Sequence, residues 1–458
     1  MLFHTWTFAV FFLIFYPVYL LLRKTRARIP WLLAASYVFY AAWNPLYLLL
    51  ILWSTTVDYV AVIGMARTGG KKPWLCLSLV NNLGLLGFFK YGTFVANNLN
   101  DLLASIGVPY EIPPPDVLLP VGISFYVFQS MSYTIDFYRG KIELEPSFLR
   151  YATFVSLFPQ LVAGPIERAK NLLPQLRRTP EISREDVADG LSLFVVGLFK
   201  KMALADYLAL YADPSYESPG GYAAPALMLA TFAFAWQIYF DFSGYTDMAR
   251  GIGRMMGIRL MLNFNNPYLA TGLGDFWRRW HISLSTWFRD YVYIPLGGNR
   301  KGEVRTHINI CLTMVVSGLW HGAVWTFVIW GALHALGYSV TRGLERSPLY
   351  RERVPKLAKQ VFTFGFVTFA WVFFRAQSVS DAWLIVTRIV TSGLADPLCP
   401  WLMLAMVLSI WLYQFVYESR FRKTLTFSPV RVGLVVLMLL YVAVAGGSGD
   451  NAFYYFQF

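Results

Sequence analysis

The chain is poor in charge, cysteine and histidine, and each shortage removes whole classes of function. Only 14% of its 458 residues are charged, against about 25% in soluble domains. With 57% hydrophobic and 18% aromatic residues and a mean hydropathy of +0.47, a water-soluble globule is excluded and a polytopic membrane protein remains. The three cysteines, Cys76, Cys311 and Cys399, lie far apart in or beside apolar runs. They form neither a disulfide framework nor a CxxC metal site. A Gly-rich phosphate loop, a G-x-S-x-G elbow and an H-E-x-x-H pair are all missing. No metal and no tightly bound cofactor are therefore expected. No internal repeat or inverted pair of halves is visible, which weighs against a transporter. No low-complexity linker divides the chain, so residues 1–458 are read as one membrane-embedded domain.

What the sequence has is apolar length. Runs long enough to span recur near residues 5–22, 30–52, 74–92, 117–136, 150–165, 189–211, 223–245, 308–341, 359–376, 400–418 and 431–447, since a span needs roughly 20 apolar residues. The predicted fold is all-α, with roughly eleven transmembrane helices. The run at 308–341 is too long for one upright helix, so it is tilted, bent at a glycine, or two segments. The net charge of +13 fits basic cytoplasmic loops and does not call for nucleic acid. The basic cluster from Arg23 to Arg28 follows the first apolar run instead of preceding it. That order predicts no cleavable signal, with residue 1 outside and the cluster in the cytoplasm.

Residues 254–307 break the pattern, being too polar to span simply yet rich in aromatics. From Phe276 to Tyr291 the apolar residues fall at 276/277, 280, 284, 287/288 and 291, the period of one amphipathic helix, interfacial or re-entrant. His281 lies on the edge of that stripe, with Trp277 and Ser285 one turn away on either side. Six basic residues crowd residues 268–307, Arg278, Arg279, Arg289, Arg300, Lys301 and Arg305, opposed by Asp275, Asp290 and Glu303. Ordinary positive-inside charge explains them; so does a phosphate-bearing donor such as a coenzyme A thioester.

His321 lies in Leu312-Thr-Met-Val-Val-Ser-Gly-Leu-Trp-His-Gly-Ala-Val-Trp-Thr-Phe-Val-Ile-Trp330, an uncharged run. An intramembrane ionisable residue is a functional candidate by default. Gly318 and Gly322 flank it as a small-xxx-small pair that permits close backbone approach. Ser317 and Trp325 are expected above and below it on one helix face. Hydrocarbon surroundings favour the neutral imidazole, a competent general base. A structural histidine bonded to a neighbouring carbonyl is the other reading. His334 is thirteen residues further on, about 220° round a continuous helix, and is expected to face elsewhere. Asp241 and Asp247, in Tyr239-Phe-Asp-Phe-Ser-Gly-Tyr-Thr-Asp247, are expected to cap a helix or to hold the arginine cluster, with substrate contact as the alternative. The end of the chain, Asn451-Ala-Phe-Tyr-Tyr-Phe-Gln-Phe458, follows a glycine-rich hinge and reads as an interfacial aromatic anchor.

Taken together, the motifs resemble the membrane-bound O-acyltransferase family. Within it they are similar to alginate O-acetyltransferase membrane subunits and related polysaccharide O-acetylation proteins. The matching stretches are Pro120–Tyr126, Ala163–Arg168, Tyr239–Met248, Phe276–Tyr291, Leu296–Gly302 and Ser317–Ala323, with Tyr455–Phe458 at the end. FWRRWHISLSTW and LWHGA are the most specific of them. The resemblance implies a helical fold with a central funnel, in the bacterial plasma membrane. It implies catalysis by His321 with His281, the latter or a backbone N–H stabilising the oxyanion. The implied reaction carries an acetyl group from a cytoplasmic thioester, acetyl-CoA or an acyl-carrier protein, to an acceptor on the far side. Extracytoplasmic acetyltransferase partners complete delivery to the polymer. Arg278, Arg289, Trp277, Ser317 and Trp325 are the candidate donor contacts. Tyr455 aligns with a tyrosine proposed elsewhere to carry the acyl group, although Tyr454 replaces an isoleucine beside it. D-alanyl transfer to teichoic acid, in a sister branch, is the alternative, and a polysaccharide-precursor transporter or a secretion scaffold are readings of another class.

Overall fold

The structure, a computed structural model, describes residues 1–394, 401–422, 425 and 427–445. Among them every regular element is helical. Three helices are long and apolar enough to cross a bilayer, Pro45–Arg67, Ala224–Met255 and Lys356–Arg375, and Trp6–Leu22, Trp401–Tyr417 and Ser428–Val444 are shorter apolar helices. On Trp6–Leu22 the side chains of Trp6, Val10, Leu13, Ile14 and Leu21 are exposed. Such a face suits hydrocarbon and not water. The acyl relay expected at Tyr455, its neighbour Tyr454 and Cys399 lie outside the described residues.

Local chemistry divides several of the apolar runs. The run at 30–52 becomes Arg28–Ala41 and Leu48–Arg67. Pro45 pushes Asn44 into an extended conformation, and the Asn44 Oδ1 caps the short turn that follows, accepting from Leu46 N at 3.0 Å. The run at 150–165 holds two helices, Phe148–Ser156 and Phe158–Leu161, each too short to span. In the run at 189–211, Arg184–Phe199 passes through a π-helical turn at Lys200–Ala205 into Asp206–Glu217.

The chain groups into two compact units, Met1–Leu191 with Ala249–Met261, and Ser192–Met248 with the residues from Leu262 onward. In the first, the helices Leu48–Arg67, Lys71–Leu86 and Ile123–Tyr138 meet around the fully buried Asp58. Ser78 Oγ donates to its Oδ1 at 2.6 Å, Asn82 Nδ2 donates to both oxygens at 2.8 and 2.9 Å, and Ser130 Oγ donates to Oδ2. Those neutral donors replace water around a carboxyl that could not otherwise be buried. Arg28 spans back to the end of Ala169–Arg177, donating to the carbonyls of Leu176 at 2.5 Å and Arg178 at 2.7 Å.

The second unit is built on an aromatic core that includes Trp236, Tyr268, Phe276, Trp280, Trp330 and Trp371. Fully burying rings of this size is the largest single stabilising contribution available to a small set of residues. The candidate histidines sit within it.

Candidate active site

The long run at 308–341 is a helical hairpin. Glu303–His321 ends at Gly322, which is extended, and Trp325–Leu344 returns alongside. Three glycines allow the two backbones to meet. A Cβ on Gly318 would lie 2.2 Å from the Phe327 carbonyl oxygen, one on Gly331 would lie 2.5 Å from that of Met314, and one on Gly322 would enter the Phe327 ring. The close approach expected at Gly318 and Gly322 is therefore made by the chain's own next helix.

His321 is the last residue of its helix and is 4% exposed. Its ring centroid lies 5.0 Å from that of Trp320, 5.2 Å from Trp330 and 5.2 Å from Phe374, each pair close to perpendicular. Phe327 stacks at 6.3 Å. Trp325 is not above His321 on the same face. It opens the next helix and is 55% exposed, because Gly322 breaks the helix on which that face was drawn.

The same break overturns the placement of His334. On one continuous helix it would face away; on the returning arm it faces the same aromatic box. Trp330 touches His321 at 5.2 Å and His334 at 4.6 Å, so it stands between the two. Trp320 separates His321 from His281 in the same way, at 5.0 and 6.1 Å. Sequence reasoning missed His334 because a helical wheel cannot see a reversal; Gly322, next to His321, was the signal that could have found it.

His281 interrupts the helix expected over 276–291. Leu273–Arg279 and Ile282–Phe288 are separate, with His281 between them at φ +43°. That left-handed conformation costs a non-glycine residue roughly 1–2 kcal/mol. The turn is held by Asn263, whose Oδ1 accepts from Ser283 N at 3.1 Å and Ser283 Oγ at 3.0 Å. Its carbonyl also accepts from Ile282 N at 2.9 Å. His281 Nδ1 meets the same Asn263 Oδ1 at 3.1 Å. A backbone N–H only donates, so this Asn atom is the acceptor and His281 Nδ1 carries the hydrogen. In the neutral ring Nε2 then holds the lone pair. His281 is thus set up to accept a proton or a hydrogen bond, and the oxyanion-stabilising role expected of it does not fit this tautomer. The ring is fully buried, packed on Phe242 at 4.7 Å.

A cavity of about 360 Å³ has Trp277, Arg278, Arg289 and Ser317 in its wall together with Ser285 and Tyr338. Four of the five candidate donor contacts thus share one space; Trp325 is not in its lining. Ser317 lies one turn before His321 on the same helix and joins the cavity to that ring. Arg278 and Arg289 keep 73% and 59% of their side chains exposed, while Asp275 lies 3.7 Å from Arg278 and Asp290 2.9 Å from Arg289. Their guanidinium groups remain open to an anionic ligand.

Asp241 and Asp247 hold lysines, not the arginine cluster. Lys201 Nζ lies 2.9 Å from both Asp241 and Asp206, and Lys200 Nζ lies 2.6 Å from Asp247. The π-helical turn at Lys200–Ala205 carries both lysines. The arginine cluster is served instead by Asp275 and Glu418, at 3.1 and 2.8 Å from Arg279. His307 meets Ser339 Oγ at 2.8 Å. Among the described residues no three His, Cys, Asp or Glu side chains gather as a metal site.

Comparison with known proteins shows the family. Residues 117–380 match the family model described as MBOAT, membrane-bound O-acyltransferase family. The chain is 43% identical over 396 residues to the probable alginate O-acetylase AlgI of Pseudomonas aeruginosa, covering 84% of this chain and 74% of that protein. It is 38% identical over 382 residues to the peptidoglycan O-acetyltransferase of Helicobacter pylori, covering 77% and 72%. Similarity to the teichoic acid D-alanyltransferase of Bacillus subtilis is lower, 27% over 281 residues, covering 58% and 71%.

Proposed function

The chain belongs to the membrane-bound O-acyltransferase family, and from that premise we propose that it moves an acetyl group from a cytoplasmic thioester to the hydroxyl of a polysaccharide outside the bacterial plasma membrane. The observation that carries this reading is the position of His321. It is a buried imidazole one turn from Ser317, and Ser317 lines a cavity that also presents Arg278 and Arg289.

The chemistry follows from the groups present. His321 takes the proton of an acceptor hydroxyl. The hydroxyl oxygen attacks the thioester carbonyl carbon, a C–O bond forms, and the C–S bond breaks as the tetrahedral intermediate collapses. The leaving thiolate takes the proton back from His321, which returns to neutral. His281, with its lone pair on Nε2, accepts a hydrogen bond from a donor group of the bound substrate other than the reacting O–H, whose one hydrogen goes to His321. Arg278 and Arg289 receive the phosphate groups that both acetyl-CoA and a carrier-bound thioester bring. Tyr455 is the hydroxyl proposed to take the acyl group first, before extracytoplasmic acetyltransferase partners pass it to the polymer. Roughly eleven spans are assigned to the chain on the length rule.

D-alanyl transfer is the second reading, and the higher identity to the acetylating relatives over more of the chain favours acetyl transfer. The test is a proteoliposome assay with acetyl-CoA labelled in the acetyl group and, separately, with a D-alanyl carrier thioester. Transfer of label from acetyl-CoA to an acceptor hydroxyl is the expected result. Transfer only of D-alanine, or transport of a polysaccharide precursor without acyl turnover, contradicts the proposal.

A further inference from the structure

His334 is fully buried, and neither of its ring nitrogens has a hydrogen-bond partner among the described residues. The indole Nε1 atoms of Trp277 and Trp330, 8% and 0% exposed, are in the same condition. The three rings touch one another: Trp330 and His334 at 4.6 Å, Trp277 and His334 at 5.1 Å, Trp277 and Trp330 at 5.8 Å. Each unmet buried group costs about 1–3 kcal/mol, and buried polar groups are normally paired. A phenylalanine at 334 would fill the same box without that cost.

The inventory of the cluster says what it lacks. Each indole N–H is a donor only, and a neutral imidazole supplies one donor and one acceptor. Three donors therefore face a single acceptor, and the missing partner is an oxygen with lone pairs. The cluster is also placed between the two parts of the site. Trp277 is in the wall of the cavity, and Trp330 packs on His321.

We propose that His334, Trp277 and Trp330 form a binding site for the carbonyl oxygen of the acyl group, holding the thioester carbonyl toward His321. This rests on the acyl-transfer reading. It also supplies the donors that an oxyanion needs, a role for which the His281 tautomer is unsuited.

The test compares two probes on the full-length protein in lipid nanodiscs. One is coenzyme A; the other is its S-acetonyl thioether, which keeps a carbonyl but has no scissile thioester. Wild-type protein is expected to bind the acetonyl compound more tightly than coenzyme A by calorimetry. His334→Phe is expected to weaken binding of the acetonyl compound about ten-fold, to leave coenzyme A unchanged, and to unfold at the same or a higher temperature than wild type. His334→Gln, which restores a donor, recovers part of the difference. Equal weakening of both probes together with earlier unfolding identifies His334 as a packing residue and overturns the proposal. So does a His334→Phe protein that still prefers the acetonyl probe. Failure of wild-type protein to bind either probe contradicts a coenzyme A thioester as the donor, and with it the acetyl-CoA form of the acyl-transfer reading.

Discussion

Asn263 Oδ1 accepts a hydrogen bond from His281 Nδ1 at 3.1 Å, and this contact decides which His281 nitrogen is left to act. Replacing Asn263 by alanine removes that acceptor and the two Ser283 contacts with it. Acyl transfer is expected to fall by about 10²–10⁴-fold, the range lost with a positioned acid–base group. Asn263→Asp keeps an acceptor at the same place and is expected to keep most of the rate. Steady-state turnover of both variants, with thermal unfolding as a control, checks the assignment. Equal loss in the two variants contradicts it.

Arg278 and Arg289 line the cavity with most of their side chains exposed. Solvent screens such charges, so each contributes on the order of 1 kcal/mol or less to anion binding. Arg278→Ala and Arg289→Ala are each expected to raise KM for the thioester several-fold and leave kcat nearly unchanged. Raising salt should reproduce part of the effect in wild type. A loss confined to kcat rules out donor binding.

The hairpin that carries His321 depends on backbone contact at Gly318 and Gly331. A side chain at either meets a carbonyl of the opposite arm. Gly318→Leu or Gly331→Leu is expected to destabilise the protein by about 1–3 kcal/mol or more, as overpacking does, and to lose turnover in proportion. Gly365, whose Cβ would meet nothing within 4 Å, is the control: Gly365→Ala should be silent in both measurements.

Lys201 is 2% exposed and contacts the nearly buried Asp241 at 2.9 Å. Lys201→Met strands that carboxylate and is expected to cost about 3–5 kcal/mol. The double variant Lys201→Met/Asp241→Leu removes both buried charges and should regain most of the loss, since the remaining partner, Asp206, keeps 20% of its side chain exposed. Thermal unfolding of the single and double variants measures the recovery; no recovery contradicts the pairing.

Much of this arrangement is legible before any coordinates. Apolar run length identifies the helical membrane class, and four of the five residues proposed to contact the donor line one cavity. The failures share one cause. Helical periodicity assumes an unbroken helix, and two breaks fall at the site: the Gly322 reversal and the left-handed turn at His281. Both are fixed by long-range packing, of Phe327 against the glycines and of Asn263 beneath the turn, which a local window does not contain. A helical wheel therefore places Trp325 on His321, although it is exposed, and turns His334 away, although it faces inward. The apolar run at 189–211 absorbs Lys200 and Lys201 because their partners Asp247 and Asp241 lie 47 and 40 residues on.

The tail offers a separate check on the route of the acyl group. With labelled acetyl-CoA and rapid acid quenching, a C-terminal peptide carrying acetyl on Tyr455 is the expected product. Tyr455→Phe is expected to abolish that label. An unlabelled tail during active turnover removes the relay from the mechanism.

The central claim is that His321 is the base. Its most direct measurement is the rate of acetyl transfer from labelled acetyl-CoA by His321→Ala in proteoliposomes, with unfolding temperature and donor affinity recorded for the same preparation. A loss of about 10²–10⁴-fold in turnover is expected, with thermal stability and donor binding close to wild type. A well-folded His321→Ala protein that transfers acetyl at the wild-type rate contradicts it.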